Sequence, residues 1–173
     1  MLDLTQIPTL ETPRLRLRRP SERDLDRLAG MFADPRYMRF LADGRTADRA
    51  EAWRAIAGAL GHWALRDYGF FAVEEKSAGL FIGWSGLLQP EGWPGTEIAW
   101  GIAPALWGQG LATEAARGVL DYAFSRLRLP RLISIIHPEN IASIRVATKI
   151  GERFERSIEF QGKSPHLYAI AAA

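Results

Sequence analysis

The segment from Trp107 to Thr113, WGQGLAT, has the composition of an anion-binding loop. It follows a predicted strand that ends at Ile102 and it opens a predicted helix, so unpaired N–H groups and the positive end of the helix dipole meet there. Glycine at positions 108 and 110 lets the main chain approach phosphate oxygens, and Thr113 adds a hydroxyl donor. These residues alone equally fit a helix-leading turn that only permits close packing.

Two other phosphate-binding motifs fit this segment poorly. A P-loop would end in Gly-Lys-Ser or Gly-Lys-Thr, and the dinucleotide fingerprint would need Gly or Ala at position 113, where Thr stands. The dinucleotide motif also opens a series of β-α-β units, whereas this segment follows three consecutive predicted strands. A nucleotide-binding module of either kind is therefore disfavoured.

Few side chains near this segment suit acid–base chemistry. Glu97 alternates with Ile98 and Trp100 on the preceding strand and is the candidate general base; the alternative is a solvent-facing or salt-bridged strand residue. His137 ends a later strand and could relay a proton through its neutral ring, although a histidine there more often bonds a nearby carbonyl; a water is the third possible base. Because the chain has no cysteine and no closely spaced set of His, Asp and Glu, neither a thiol nucleophile nor a metal site is expected.

The hydrophobic pattern indicates which elements position these residues. It predicts strands at 14–19, 70–75, 80–88, 96–102, 132–136, 154–160 and 166–170, and helices after Ser21, over 46–66, from 112 to 127 and over 141–150. The apolar run 132–136 is typical of a parallel strand that is covered on both faces. The order β-α-α-β-β-β-α-β-α-β-β predicts an α/β fold with a mixed, mostly antiparallel sheet flanked by helices.

Length and composition bound the class of protein. The 173 residues suffice for one domain, 1–173, with its core at about 12–170. No apolar run approaches the ~20 residues that span a bilayer, and the opening residues carry an acid and no basic cluster, unlike a signal peptide. With the lack of cysteine, this favours a cytoplasmic protein. The net charge of +2 and the Arg–Leu alternation over 14–19 favour a solvated strand face over a nucleic-acid surface.

Two motifs resemble those of the GNAT acetyltransferases. They are WGQGLATEA at 107–115 and, further on, Asn140 to Ser143 followed by Gly151. Within that family the chain is most similar to the branch containing the ribosomal-protein N-terminal acetyltransferases, and the resemblance extends from Glu11 to Tyr168. It implies acetyl-coenzyme A as the donor and a primary amine as the acceptor. It implies no nucleic acid or membrane partner, and either a monomer or a homodimer.

The resemblance also implies a role for each matching residue. Main-chain amides of the loop would hold the diphosphate of coenzyme A, and the strand ending at Ile102 would hydrogen-bond the pantetheine arm. Asn140 would bond the same arm and Ser143 would lie near the thioester sulfur, although both are common helix-start residues. The expected cofactor-binding set is Ile102, Trp107, Gly108, Gln109, Gly110, Leu111, Ala112, Thr113, Asn140 and Ser143.

The chain departs from the family at two positions. Trp107 stands where the family usually has Gln or Arg, which removes one side-chain donor to phosphate. Ala147 stands where many members carry a tyrosine general acid, so Ser143 would have to steady or protonate the leaving thiolate. Glu97 and Ser143 are therefore the expected catalytic residues, and a coenzyme A-binding sensor with the same fold and weak turnover is the alternative.

The chemistry of the acceptor leaves two classes of amine open. An α-amine has a pKa of about 8 and a lysine amine a pKa of about 10.4, so the α-amine is neutral far more often near pH 7. A modest base suits the α-amine, which slightly favours peptide N-termini over small amines. Transfer is expected to be direct, since the chain has no cysteine to carry the acyl group.

Overall fold

A mixed sheet of eight strands runs through the computed structural model, which describes residues 6–172. The strands are β1 (Leu10–Glu11), β2 (Leu15–Arg18), β3 (Phe70–Glu75), β4 (Leu80–Leu88), β5 (Glu97–Ile102), β6 (Arg131–Ile136), β7 (Arg153–Ser157) and β8 (His166–Ala171). The helices are α1 (Leu25–Phe32), α2 (Pro35–Met38), α3 (Arg49–Arg66), α4 (Leu111–Asp121) and α5 (Ile141–Ile150). Most of the opening segment that is unlike a signal peptide, residues 1–5, lies outside the described range. Within that range, no helix is both long enough and apolar enough to cross a membrane.

The strands lie in the order β1-β2-β3-β4-β5-β6-β8-β7. Every neighbouring pair is antiparallel except β5 and β6, which are parallel. A parallel pair needs a crossover, and α4 supplies it. Both strands therefore end at the same edge of the sheet, where α4 and α5 begin. The predicted α/β fold with a mostly antiparallel sheet is confirmed.

Because side chains alternate along each strand, apolar residues lie on both faces of the sheet. On one face, Trp84 belongs to a buried cluster with residues of α1, α2 and α3, such as Leu28 and Ile56. On the other face, Ile98 is fully buried against α4 residues such as Val119. A sheet covered on both faces accounts for the apolar run in β6.

Two short elements were missing from the predicted order. Strand β1 has only two residues, which is too short to show alternation, and it pairs with β2 through Leu10 and Leu17. Helix α2 is a single turn in which Pro35 takes the first position and the Asp34 side chain accepts a hydrogen bond from Arg36 N at 2.9 Å. One turn cannot show a helical period, so only its cap is visible in sequence.

Three predicted boundaries differ from the structure. The helix predicted to extend to 127 is α-helical only to Asp121 and continues as a π-helical turn over Tyr122–Arg126. The predicted strand 154–160 extends too far, because β7 ends at Ser157 and residues 160–163 form a tight turn in which Phe160 N donates to the carbonyl of Lys163. The helix predicted from position 46 begins at Arg49, because Asp48 caps it: Glu51 N donates to the Asp48 carboxylate at 2.8 Å and Asp48 N to that of Glu51 at 2.9 Å.

Candidate active site

Strands β5 and β6 start side by side and then separate. Their single register pair is Glu97 with Ile133, where Ile133 N donates to the carbonyl of Thr96 at 3.0 Å. One residue further on, a side chain bridges the strands, since the Ser134 hydroxyl donates to the Ile98 carbonyl at 2.7 Å. Beyond Ile98 the two strands share no ladder pair. We call the resulting opening, between residues 98–102 of β5 and 134–136 of β6, the fork.

The edge of β5 that faces the fork carries free main-chain groups. Successive residues of a strand direct their N–H and C=O groups to opposite neighbours. Ala103 N donates to Ile82 of β4, whereas the Ile98 carbonyl faces β6. By this alternation, Trp100 directs its free main-chain groups and Ile102 its N–H into the fork, whereas the Ile102 carbonyl already accepts a hydrogen bond from the Trp107 indole. An extended ligand such as a pantetheine arm can pair with this edge as an added strand would.

A second set of free donors lies where β5 leads into α4. Gly108 and Gly110 have φ values of +80° and +77°, which side-chain-bearing residues rarely adopt, and Gly110 caps α4 without a side-chain hydrogen bond. No hydrogen bond within residues 6–172 uses the N–H groups of positions 108 to 113. Six free amides at the positive end of an 11-residue helix fit a diphosphate. Of the residues expected here, Leu111 and Thr113 have buried side chains, so only their amides face a ligand.

The phosphate loop, residues 107–113, is held from behind by Arg14. The guanidinium donates to the Gln109 carbonyl at 3.1 Å and to the Glu114 carboxylate at 2.6 Å. Glu114 also accepts from the Thr12 hydroxyl at 2.6 Å and from Arg14 N at 2.8 Å. The loop therefore carries an adjacent cation that the sequence pattern did not reveal, because Arg14 and Glu114 are 100 positions apart.

The Trp107 side chain hydrogen-bonds within the protein and so does not offer a donor to phosphate. Its indole N–H donates to the carbonyl of Ile102 at 2.7 Å, across a short turn that contains Pro104. This bond uses the only donor that the side chain has. The ring is about half exposed (51%), so it offers an apolar surface at the mouth of the fork.

Asn140 and Ser143 begin α5 on the opposite side of the fork. The Asn140 side-chain oxygen accepts from Ser143 N at 3.2 Å, so Asn140 is the helix N-cap. Its amide nitrogen and the Ser143 hydroxyl make no hydrogen bond within residues 6–172. His137, just upstream, accepts a hydrogen bond from Glu139 N at 3.2 Å and stacks on Phe40. The geometry thus allows Asn140 both a cap and a ligand contact, and it gives His137 a structural contact.

Glu97 lies at the closed end of the fork with its carboxylate buried (8% exposed). One carboxylate oxygen accepts from Ile135 N at 3.2 Å and the other from the Trp93 indole at 2.7 Å. Burial raises the pKa of Glu97 to about 7, and these two hydrogen bonds lower it only in part. A carboxyl with such a pKa changes protonation near neutral pH, as a general base requires.

A second buried carboxyl lies beside this end of the fork. Glu152 follows α5, is 2% exposed, and neither of its oxygens has a hydrogen-bond donor within residues 6–172. Burial, with a smaller contribution from the nearby Glu97, raises its pKa to about 8, although the Ser134 hydroxyl lowers it in part. Sequence analysis missed Glu152, because a Glu next to a helix-ending glycine ordinarily lies in solvent.

Tyr37 approaches β5 from the face of the sheet that also carries the Glu97 side chain. A methyl group at Gly101 would lie 2.2 Å from the Tyr37 hydroxyl, so the hydroxyl is packed against this strand and against the ring of Trp84. It is buried and makes no hydrogen bond within residues 6–172, and burial raises its pKa. No signal in the sequence separated Tyr37 from a core aromatic residue.

Comparison with known proteins identifies the family of the chain. The model of the family described as Acetyltransferase (GNAT) domain matches residues 14–153. The uncharacterized protein YkkB of Bacillus subtilis is 34% identical over 167 residues, which are 92% of this chain and 93% of YkkB. The crystal structure of an acetyltransferase from Agrobacterium tumefaciens has a TM-score of 0.85 at 29% identity over 95% of both chains. RimL, a ribosomal α-N-protein acetyltransferase in complex with coenzyme A, has a TM-score of 0.79 at 15% identity over 95% of this chain and 98% of its own.

The chain therefore belongs to the GNAT acetyltransferase family, and it is an acetyltransferase that uses acetyl-coenzyme A. The resemblance found in sequence is confirmed, and Rim-type ribosomal-protein acetyltransferases are among its structural neighbours.

Proposed function

We propose that the protein transfers the acetyl group of acetyl-coenzyme A directly to a primary amine, with Glu97 as the proton acceptor. The observation that carries this proposal is the buried carboxylate of Glu97 at the closed end of the fork, with a pKa of about 7. An amine that attacks a carbonyl must be neutral and must lose a proton as the amide forms. A carboxyl that is largely ionised slightly above pH 7 supplies that function.

The free hydrogen-bond donors around the fork suit the separate parts of acetyl-coenzyme A. The six amides of positions 108–113 would hold the diphosphate, with Arg14 as a nearby cation. The free edge of β5 at Trp100 and Ile102 would pair with the pantetheine arm, and the amide nitrogen of Asn140 would bond it from α5. The thioester would then lie inside the fork, within reach of both Glu97 and Ser143.

The reaction follows from these positions. The amine nitrogen attacks the thioester carbonyl carbon, the C–S bond breaks, and the amine proton passes to Glu97 directly or through a water. The leaving thiolate takes a proton from water, steadied by the Ser143 hydroxyl, and Glu97 returns its proton to water, so the protons balance. The products are the N-acetylated amine and coenzyme A thiol, and no acyl-enzyme forms.

Turnover of acetyl-coenzyme A with single amines tests this proposal. Release of the thiol and a mass gain of one acetyl group on the amine are measured at pH 7.5 for the wild type, for Glu97→Gln and for Glu155→Gln. Glu155 lies on the exposed strand β7 and forms ion pairs with Arg131 of β6 and Arg156 of β7. Glu155→Gln therefore controls for the loss of a carboxylate elsewhere on the protein. We expect only Glu97→Gln to lose about 10²-fold in kcat/KM. If the protein binds acetyl-coenzyme A and acetylates no amine, it is a coenzyme A sensor and the proposal is wrong.

A further inference from the structure

A large apolar groove lies between α3 and the sheet. Its volume is about 1030 Å³, at the upper end for small-molecule sites. The floor contains Phe70, Phe81, Trp84 and Leu88, with the rings of Phe70 and Trp84 4.6 Å apart. The helix wall consists largely of small residues, which are Ala55, Gly58, Ala59 and Gly61. The small side chains of α3 keep the groove open, whereas Trp63 of the same helix reaches the core.

The charged residues that line the groove are already paired within the protein. Arg45 bonds Asp43 at 3.1 Å and Glu51 at 2.5 Å, and Arg66 lies 3.6 Å from Glu91. The sixth charged lining residue, Asp24, bonds Arg18 at 2.6 Å. Paired charges at the rim leave no free countercharge for a ligand, so the part of a ligand that fills the groove is uncharged and apolar.

The scarcity of free hydrogen-bonding side chains also disfavours a peptide main chain in the groove. Each peptide group that loses water without a hydrogen-bond partner costs about 1–3 kcal/mol. Among the lining side chains, His62 uses both ring nitrogens already, one with the Tyr68 carbonyl at 2.7 Å and one with Gln89 N at 2.9 Å. A hydrocarbon or aromatic body fits this lining without such a cost.

The groove floor and Glu97 belong to the same face of the sheet. Leu88 is the register partner of Glu97, and Trp84 is that of Gly101. Paired side chains project to the same face, and neighbouring strands lie about 4.8 Å apart. The apolar body of a ligand in the groove is therefore about one to two strand spacings from the fork, which a short alkyl arm can span.

An unpartnered polar group lies between the groove and the fork. Phe32, which lines the groove, stacks on Tyr37 with ring centroids 6.3 Å apart. The buried Tyr37 hydroxyl lies against Trp84 and Gly101 with no partner in the described chain. A buried hydroxyl without a partner is unfavourable unless a ligand supplies one, and an amine N–H can donate to it.

We propose that this groove binds the body of the acceptor, and that the acceptor is a small primary amine on a short chain attached to an aromatic or aliphatic body. The inference rests on the proposed function and narrows the acceptor from any primary amine to small apolar amines. The Tyr37 hydroxyl accepts a hydrogen bond from the amine and directs it toward the fork.

Filling the groove tests the inference. Ala59→Trp places an indole in the groove, whereas Ala57→Trp places it on the exposed part of the same helix, away from the lining. Binding of phenethylamine to the coenzyme A complex is measured by calorimetry, and its steady-state KM is compared with that of propylamine. We expect Ala59→Trp to weaken phenethylamine binding at least tenfold and to leave the KM of acetyl-coenzyme A unchanged, and Ala57→Trp to change neither. Ala55→Phe narrows the groove in the same way should Ala59→Trp fail to fold.

A second variant tests the hydroxyl. Tyr37→Phe should raise the KM of phenethylamine several-fold without changing that of acetyl-coenzyme A. The inference is overturned if phenethylamine does not bind, if Ala59→Trp and Ala57→Trp act alike, or if a peptide N-terminus is acetylated equally well by wild type and Ala59→Trp. If no amine of any class is acetylated, the proposed function fails instead, and calorimetry still shows whether the groove binds the probe.

Discussion

The Arg14 guanidinium donates to the carbonyl oxygen of Gln109 at 3.1 Å, so the turn before β2 holds the phosphate loop from behind. The same guanidinium bonds Glu114 in the first turn of α4. The Glu114 carboxylate interacts favourably with the dipole of α4. Its ion pair with Arg14 also fixes the position of the loop relative to the sheet. The Trp107 indole N–H already donates to Ile102, whereas Arg14 is a charged side chain that contacts the loop, and it shares its charge with Glu114.

We predict that Arg14→Met raises the KM of acetyl-coenzyme A about tenfold with a smaller change in kcat, because the loop loses both its tether and its cation. Acetyl-pantetheine lacks the diphosphate, so its KM should change much less. Steady-state kinetics with both donors measures the difference. Arg36→Met, which removes an exposed pair with Asp34, is the control and should change neither KM. If the KM of acetyl-pantetheine rises as much as that of acetyl-coenzyme A, Arg14 does not act through the diphosphate and only stabilises the fold.

The predictable parts of the fold are those that local sequence determines. The glycine-containing turn before α4, the cap at Asn140 and the alternating strands depend on residues within a few positions of each other, and the structure has them. Strand β1 and helix α2 were missed because two and four residues cover only about one period of a strand or a helix, so no repeat of the pattern can be seen.

The unpredicted parts of the site depend on distant residues. Glu97 is visible as a strand residue, but the donor from Ile135 comes from 38 positions away and depends on how β5 and β6 separate. The sequence also could not indicate that Glu152 is buried, since its neighbours Gly151 and Arg153 are exposed. Tertiary packing determines the surroundings of Glu97 and of Glu152, so the pKa values of these two carboxyls could not be predicted from the sequence.

Asn140 has two separable roles, and two substitutions should distinguish them. Asn140→Ser keeps a capping oxygen but loses the amide N–H that we assign to the pantetheine arm, whereas Asn140→Ala loses both. We expect both variants to raise the KM of acetyl-coenzyme A and only Asn140→Ala to lower the free energy of unfolding, by about 1 kcal/mol. Kinetics and chemical denaturation measure the two effects. An unchanged KM in Asn140→Ser would leave capping as the residue's role.

Ser143→Ala should act on the chemical step. Its hydroxyl makes no hydrogen bond in the described chain, so its removal leaves no partner unsatisfied and stability should be unchanged. We expect kcat to fall about tenfold, or about 1.4 kcal/mol, with little change in the KM of acetyl-coenzyme A. Single-turnover kinetics separates this step from product release. A normal single-turnover rate would remove Ser143 from thiolate stabilisation.

Glu152 should make the protein less stable as pH rises. Its pKa is about 8 in the folded state and about 4.5 when unfolded, so the folded state binds the extra proton between these values. The stability that this proton contributes is complete below about pH 4.5 and is lost progressively up to about pH 8. Glu152→Gln mimics the protonated form, so we expect it to be more stable than wild type by about 3 kcal/mol at pH 7 and about equal at pH 4.5. Urea denaturation across this range measures it, and the exposed Glu155→Gln should show no such trend.

The pH dependence of the rate should identify Glu97. Because its pKa is raised to about 7, it is protonated and inactive as a base below that pH, so kcat/KM for the amine should rise with pH through about 7. The amine's own ionisation adds a second rise, at about pH 8 for an α-amine and at higher pH for an alkylamine. Glu97→Gln should lose the first rise and keep the second, so its deficit of about 10²-fold near pH 7 should shrink once the amine is already neutral. Profiles measured from pH 6 to pH 10.5 with one acceptor test this. If Glu97→Gln keeps a rise near pH 7, then another group, such as Glu152 or a bound water, accepts the proton.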